Sequence, residues 1–248
     1  MNATAVTSPL RAVLFDMDGT LVDTESLWWQ TVDEQAAGLG LAVDGADLPE
    51  ILGRPVEHTA AHLAARAAAR AGGRAGGRGP AGGVLAAGLA ADLERRFTEL
   101  IADRAATRNL PTMPGALELL DALSAAGIAT ALVSASPRPV VDLVLGLLGR
   151  ERFATSRAAG ETAQTKPHPA PYLAAAHALG VATGACVAVE DTATGVASAE
   201  AAGCAVLAVP SLAPIEAGPG RSVAASLLDV DVERLERLVT RGSAVLRG

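Results

Sequence analysis

Residues 12–20 read AVLFDMDGT: four apolar residues, two aspartates two positions apart, then glycine and threonine. A short apolar run closed by polar turn residues suits a strand buried on both faces of a parallel sheet. The chain leaves that strand directly into Asp16 and Asp18, and Gly19 permits the turn that brings both carboxylates toward one crevice at the strand's carboxyl end. A carboxylate so placed can accept a phosphoryl group covalently. A second one beside it can protonate a leaving oxygen and later take a proton from water.

Three further apolar runs, at 128–133, 186–189 and 205–209, have the same character. Helical stretches at 117–126, 140–148, 170–179 and 194–202 are each followed by a glycine, as the common C-terminal cap predicts. Strand and helix alternating at this spacing predict an α/β fold with a doubly wound, Rossmann-like parallel sheet, whose ligand crevice lies beyond the carboxyl ends of the strands.

Between the first strand and residue 117 no convincing strand is found, and the pattern predicts helices at 25–39, 56–71 and 84–106. The expected organisation is an α/β core made of 1–23 and 110–248, interrupted by a helical domain at 24–109. Within the latter, residues 70–83 read RAGGRAGGRGPAGG, too rich in glycine for a stable helix and expected to form a flexible loop. Its three arginines, Arg70, Arg74 and Arg78, lack the interleaved aromatics of a nucleic-acid-binding tract.

Composition narrows the function classes. Apolar residues make up 50% of the chain but aromatics only 2%, so the core must be built from Ala, Val and Leu. A net charge of -7 leaves no basic footprint for nucleic acid or an anionic membrane, while a local pocket can still hold a small anion. Cys186 and Cys204 sit in apolar segments and read as buried thiols in a reducing, cytoplasmic setting. The first ten residues lack a basic stretch followed by an apolar one, and no charge-free apolar run of about 18 residues occurs, so neither export nor membrane spanning is expected. The oligomeric state is left open, a monomer included.

The other strand ends carry chemistry of their own. The second run ends in Leu132-Val133-Ser134-Ala135-Ser136, where hydroxyls and backbone N–H groups at a helix start can hold phosphoryl oxygens; Ser134 is the main candidate, with Ala135 beside it and Ser136 the lesser one. Lys166, in TKPHP before a helix, can neutralise phosphate charge and keep a nucleophilic carboxylate ionised. The run at 186–189 ends in Glu190-Asp191, two adjacent acids that are costly at the end of an apolar strand unless solvated, as in an exposed acidic turn, or bound to a cation. With Asp16 they offer the hard oxygen ligands that Mg2+ prefers.

DMDGT at 16–20, Ser134 at a strand end, KPHP at 166–169 and EDTATG at 190–195 resemble, in order, the four motifs of the haloacid dehalogenase superfamily. The resemblance spans residues 12–209 and implies a role for each position. Asp16 is the nucleophile. Asp18 is the general acid and base and binds the metal through its backbone carbonyl. Ser134 and Lys166 hold phosphate, and Asp191 is a direct ligand, with Glu190 either a second ligand or an outer partner.

The helical insert resembles the family's cap, a lid that opens for substrate and excludes water during reaction. Asp23-Thr24-Glu25, SASP at 134–137 and KPHP look most like the subgroup of β-phosphoglucomutase and the small sugar-phosphate phosphatases. A mutase histidine shortly after the first motif is replaced here by Trp28, whose indole does not exchange protons near neutral pH. The expected function is therefore a Mg-dependent phosphatase acting on a small phosphorylated metabolite, a sugar or polyol phosphate, through an aspartyl phosphate. A phosphosugar mutase is the alternative, and a non-catalytic phosphate-binding module a third reading. Gly53-Arg54 resembles the family's specificity loop, which makes Arg54 a candidate grip on substrate. Trp28 and Trp29 read mainly as core, and His58 and His62 as an ordinary helix face without acidic partners.

Overall fold

The structure, a computed structural model, describes residues 9–51, 54–71, 80–107, 109–211 and 213–245. The chain divides into two compact units, Met1–Asp23 with Pro111–Gly248, and Thr24–Leu110. β1 (Ala12–Phe15) opens the first. The chain then builds the second unit from α1 (Glu25–Gly38), the short α2 (Leu48–Ile51), α3 (Val56–Arg70) and α4 (Pro80–Ala106). It returns through α5 (Ala116–Ala125), β2 (Ala129–Val133), α6 (Arg138–Leu148), β3 (Thr155–Arg157), α7 (Ala170–Ala178), β4 (Cys186–Glu190), α8 (Ala193–Ala201), β5 (Ala205–Ala208), β6 (Arg221–Val223) and α9 (Val232–Val245).

The six strands form one parallel sheet in the order β3-β2-β1-β4-β5-β6. This is the doubly wound, Rossmann-like α/β fold expected from the sequence. Ala12 pairs with Ala129 on one side and Cys186 on the other, so β1 lies where the winding reverses direction. Strand alternation sends Ala12, Leu14, Ala131, Val133, Ala188 and Val206 into one core cluster with Tyr172 and Ala175 of α7 and Val196 and Ala199 of α8. The intervening Val13, Phe15, Leu132, Val187, Val189 and Leu207 are equally buried, so both faces are covered, and the strands read as continuous apolar runs for that reason. Cys186 and Cys204 are free and buried in this core, and burial pushes their thiols up to about 11 and about 12.

Two strands extend the sheet beyond the expected four. β3 (TSR) and β6 (RSV) are three residues each, half-buried and polar. Each pairs on one side only, so neither needs the apolar run that betrays an inner strand.

The helical unit has its own core, in which Val32, Ile51, Leu63, Leu89 and Leu93 are buried and Trp28 and Trp29 pack against them. Trp28 donates its indole N–H to the Ile51 carbonyl at 3.1 Å and meets the Phe97 ring edge-on at 5.2 Å. Most of the glycine-rich stretch, residues 72–79, lies outside the described residues, as does Gly53. The expectation of a loop fails at its far end. α4 begins at Pro80, four residues earlier than expected, and runs through Gly82 and Gly83. Proline at the first helical position has its backbone angle preset, and the roughly 1 kcal/mol that each glycine costs is offset by burial of Leu89, Leu93 and Ile101 later in the helix.

The expectation that His58 and His62 lack acidic partners is also overturned. His58 Nε2 lies 2.6 Å from Glu50 and His62 Nε2 lies 2.8 Å from the buried Asp47, both acids supplied by the turn around α2. Partners 8 and 15 residues away in sequence leave no helical spacing to read. No described helix is long and apolar enough to cross a membrane.

Candidate active site

The groups singled out at the strand ends converge at the carboxyl edge of the sheet. Asp16 continues β1 by one residue, its N–H bonded to Val189 of β4 at 2.9 Å, and its side chain is buried. Gly19 then takes a positive φ of 75°, turning the chain so that its N–H meets the Val22 carbonyl at 2.9 Å and the half-buried Asp18 is carried round. A Cβ built on Gly19 would overlap the Asp191 carboxylate, so this position must be glycine on two counts.

Lys166 ties the strand ends together. The Lys166–Pro167 peptide is cis, and the lysine side chain, 6% exposed, donates Nζ to Asp16 Oδ1 at 2.5 Å, Glu190 Oε1 at 2.6 Å and the Val133 carbonyl at 2.8 Å. Burial pulls this ammonium toward neutrality, but the two carboxylates outweigh it and hold the lysine above its ordinary value. Glu190 is wholly buried. Its carboxyl is lifted by that burial and pulled back by Lys166 and by the Tyr172 hydroxyl, which donates to Oε1 at 2.5 Å. Gly195, in the first turn of α8, leaves room for the carboxylate, since a Cβ there would overlap it. Thr192 caps the same helix by accepting the Gly195 N–H at 3.1 Å.

Asp18 and Asp191 are held by hydroxyls. Ser134 Oγ and Ser136 Oγ both donate to Asp18 Oδ2, at 3.0 and 2.8 Å, and Ser134 Oγ accepts the Ser136 N–H at 2.9 Å. Ser134 lies ahead of α6, which begins at Arg138 with Pro137 at its N-cap. Ala135 is exposed between the two serines. Ser211, in the loop after β5, donates to Asp191 Oδ2 at 2.6 Å. Arg54 belongs to the helical unit, where it is exposed and donates Nε to the Pro49 carbonyl at 3.0 Å.

Among the described residues, Asp16, Glu190 and Asp191 form a group able to hold a metal ion, with one carboxylate oxygen from each within 4.8 Å of the others. Three buried carboxylates face one ammonium, so a divalent cation matches the charge left over, and an all-oxygen donor set suits a hard ion.

Tyr172, Ser136 and Ser211 gain a weight that sequence reading did not give them. Ser136 had the visible signal of a second hydroxyl two residues after the first. Tyr172 had a weaker one, a polar-tipped aromatic in an alanine-rich helix. Ser211 had none.

Fold and site together define an α/β protein with strand-end carboxylates gathered around one lysine. The sequence model of the haloacid dehalogenase-like hydrolases matches residues 10–203, and the chain belongs to that family. It is 32% identical over 214 residues to protein CbbY of Rhodobacter capsulatus, covering 82% of this chain and 86% of the relative. It is 31% identical over 232 residues to hexitol phosphatase B of Escherichia coli K12, covering 93% and 95%. A crystal structure of a CbbY mutant from Rhodobacter sphaeroides with xylulose-(1,5)bisphosphate superposes with a TM-score of 0.73 at 26% identity, over 91% of this chain and 99% of the other.

Proposed function

We propose that this hydrolase is a Mg2+-dependent phosphatase of a small sugar or polyol phosphate, working through a phosphorylated Asp16. The observation that carries the reading is the bridge from Lys166 Nζ to Asp16 Oδ1 at 2.5 Å and Glu190 Oε1 at 2.6 Å, with Asp18 held by two serines at the next strand end. An ammonium fixed on Asp16 orients this carboxylate for attack. The names of the relatives, a hexitol phosphatase and a CbbY crystallised with a sugar bisphosphate, support the substrate class.

In the first half-reaction an Asp16 oxygen bonds to phosphorus as the phosphorus–ester oxygen bond breaks, and protonated Asp18 gives its proton to the departing alkoxide. In the second, water attacks phosphorus and passes a proton to the Asp18 carboxylate, the Asp16–phosphorus bond breaks, and phosphate leaves. Lys166, Ser134 and the backbone around Ala135 hold the phosphoryl oxygens. Asp16, Asp191, the Asp18 backbone carbonyl and Glu190, as a ligand or an outer partner, would hold Mg2+, which would neutralise charge on the transferred group. The helical unit serves as the substrate-selecting lid, with Arg54 a contact for substrate. Trp28, its indole N–H donated to Ile51, offers no proton exchange to a returning sugar, which supports water as the acceptor. The free, buried cysteines support a cytoplasmic setting.

A phosphate-release screen over hexose, pentose, polyol and nucleotide monophosphates and a pentulose bisphosphate, with glucose 1-phosphate isomerisation followed alongside, tests the reading. Turnover should need Mg2+, stop with chelator, and fall at least about 1,000-fold in Asp16→Asn with the fold retained. Substantial turnover by that variant, or isomerisation outrunning release, would overturn it.

A further inference from the structure

Tyr172 is the chain's single tyrosine and is wholly buried in the first turn of α7, where the other buried residues are Pro171, Ala175 and Ala176. Packing alone would be met by phenylalanine. A hydroxyl taken out of water is costly unless it finds a partner, and this one finds Glu190 Oε1 at 2.5 Å. The same oxygen accepts Lys166 Nζ at 2.6 Å, while the lysine lies 5.2 Å from the centre of the tyrosine ring. The other Glu190 oxygen has a long contact, 3.4 Å, to Thr192 Oγ1. The phenol is therefore the strong neutral tether on the carboxylate that competes with Asp16 for the lysine.

We infer that Tyr172 is a positioning residue for phosphoryl transfer: by fixing the Glu190 carboxylate and sharing its charge, it keeps Lys166 on Asp16. The inference rests on the phosphatase reading for its kinetic consequences. Without the hydroxyl, Glu190 draws the ammonium more strongly and loses its fixed orientation. Lys166 then withdraws from Asp16, and the carboxylate group around the cation loosens. Ring packing and the lysine–ring contact survive in phenylalanine, so only the tether is removed.

The test is Tyr172→Phe in the full chain, with kcat and KM on the best substrate of the screen, calorimetric binding of Mg2+ alone, and a thermal melt. The expected result is a retained fold, KM within about twofold, kcat lowered about tenfold and Mg2+ bound several-fold more weakly. In a Glu190→Gln background the same change should cost little more, because the tether has lost its charged partner. A variant with native kcat and native Mg2+ affinity would overturn the inference. Should Tyr172→Phe not fold, fluorotyrosine incorporated in the native chain gives one 19F resonance, which must move when Mg2+ alone is added; an unmoved resonance overturns the inference as well. Absence of phosphatase activity in the native chain would sink the proposed function, while the Mg2+ and 19F measurements would still decide the role of Tyr172.

Discussion

At the scale of single residues the site depends on what is missing as much as on what is present. Gly195 has no side chain because the Glu190 carboxylate occupies that space, and Gly19 has none because Asp191 does. Gly195→Ala forces a methyl group into the space of a buried carboxylate held by Lys166 and Tyr172, with little room to yield. The expected cost is about 1–3 kcal/mol, read as a lower urea midpoint with an unchanged slope, accompanied by reduced kcat as Glu190 shifts. An unchanged midpoint would mean that the carboxylate can relocate freely. Asp16, Asp18, Lys166, Glu190 and Asp191 were legible because each follows an apolar strand or precedes a helix. The contacts of Tyr172 and Ser211 were not, because each reaches a carboxylate on another element, 18 and 20 residues away.

At the scale of elements, buried polar groups join short pieces of chain that hydrophobic pattern alone would leave loose. Asp47, just before α2, receives His62 Nε2 at 2.8 Å and Arg66 Nη1 at 2.6 Å from α3, and the Asp44 N–H at 3.0 Å. Burial by itself would raise this carboxyl, but His62, the Asp44 N–H and Arg66 together hold it below the ordinary value of 3.8. A lowered native pKa contributes stability that is present above the ordinary value and is lost as pH falls through 3.8 toward the native one. Asp47→Asn should therefore destabilise the chain by about 1–3 kcal/mol at neutral pH, and the difference from the native chain should shrink on acidification between pH 7 and 3. Unfolding followed by circular dichroism across that range checks the sign; a difference that grew toward acid would contradict it. The longer helices were legible from their spacing and terminal glycines. α2, only four residues, and the polar edge strands β3 and β6 were not, since their formation follows from neighbours rather than from local pattern.

At the scale of the whole molecule, a cation-binding group whose members lie at residues 16, 190 and 191 exists only in the folded chain. Mg2+ at about 100 times its dissociation constant should then stabilise the native state by roughly 2.7 kcal/mol. Scanning calorimetry with and without Mg2+ should show the melting temperature rise in the native chain and not in Asp191→Asn. Equal shifts in both would place the ion elsewhere.

The α/β class, the doubly wound sheet and the strand-end aspartates with their lysine follow from sequence alone, because strands buried on both faces and motifs at their ends are local patterns. Which oxygen each donor meets was decided only by tertiary structure. Lys166 spans Asp16 and Glu190 because parallel winding sets β1 beside β4, and Tyr172 reaches Glu190 because α7 packs on β1, the neighbour of β4, in the core cluster they share. Charge, burial and hydrogen bonding act on groups that are neighbours in space, and that neighbourhood arises when the sheet closes around them.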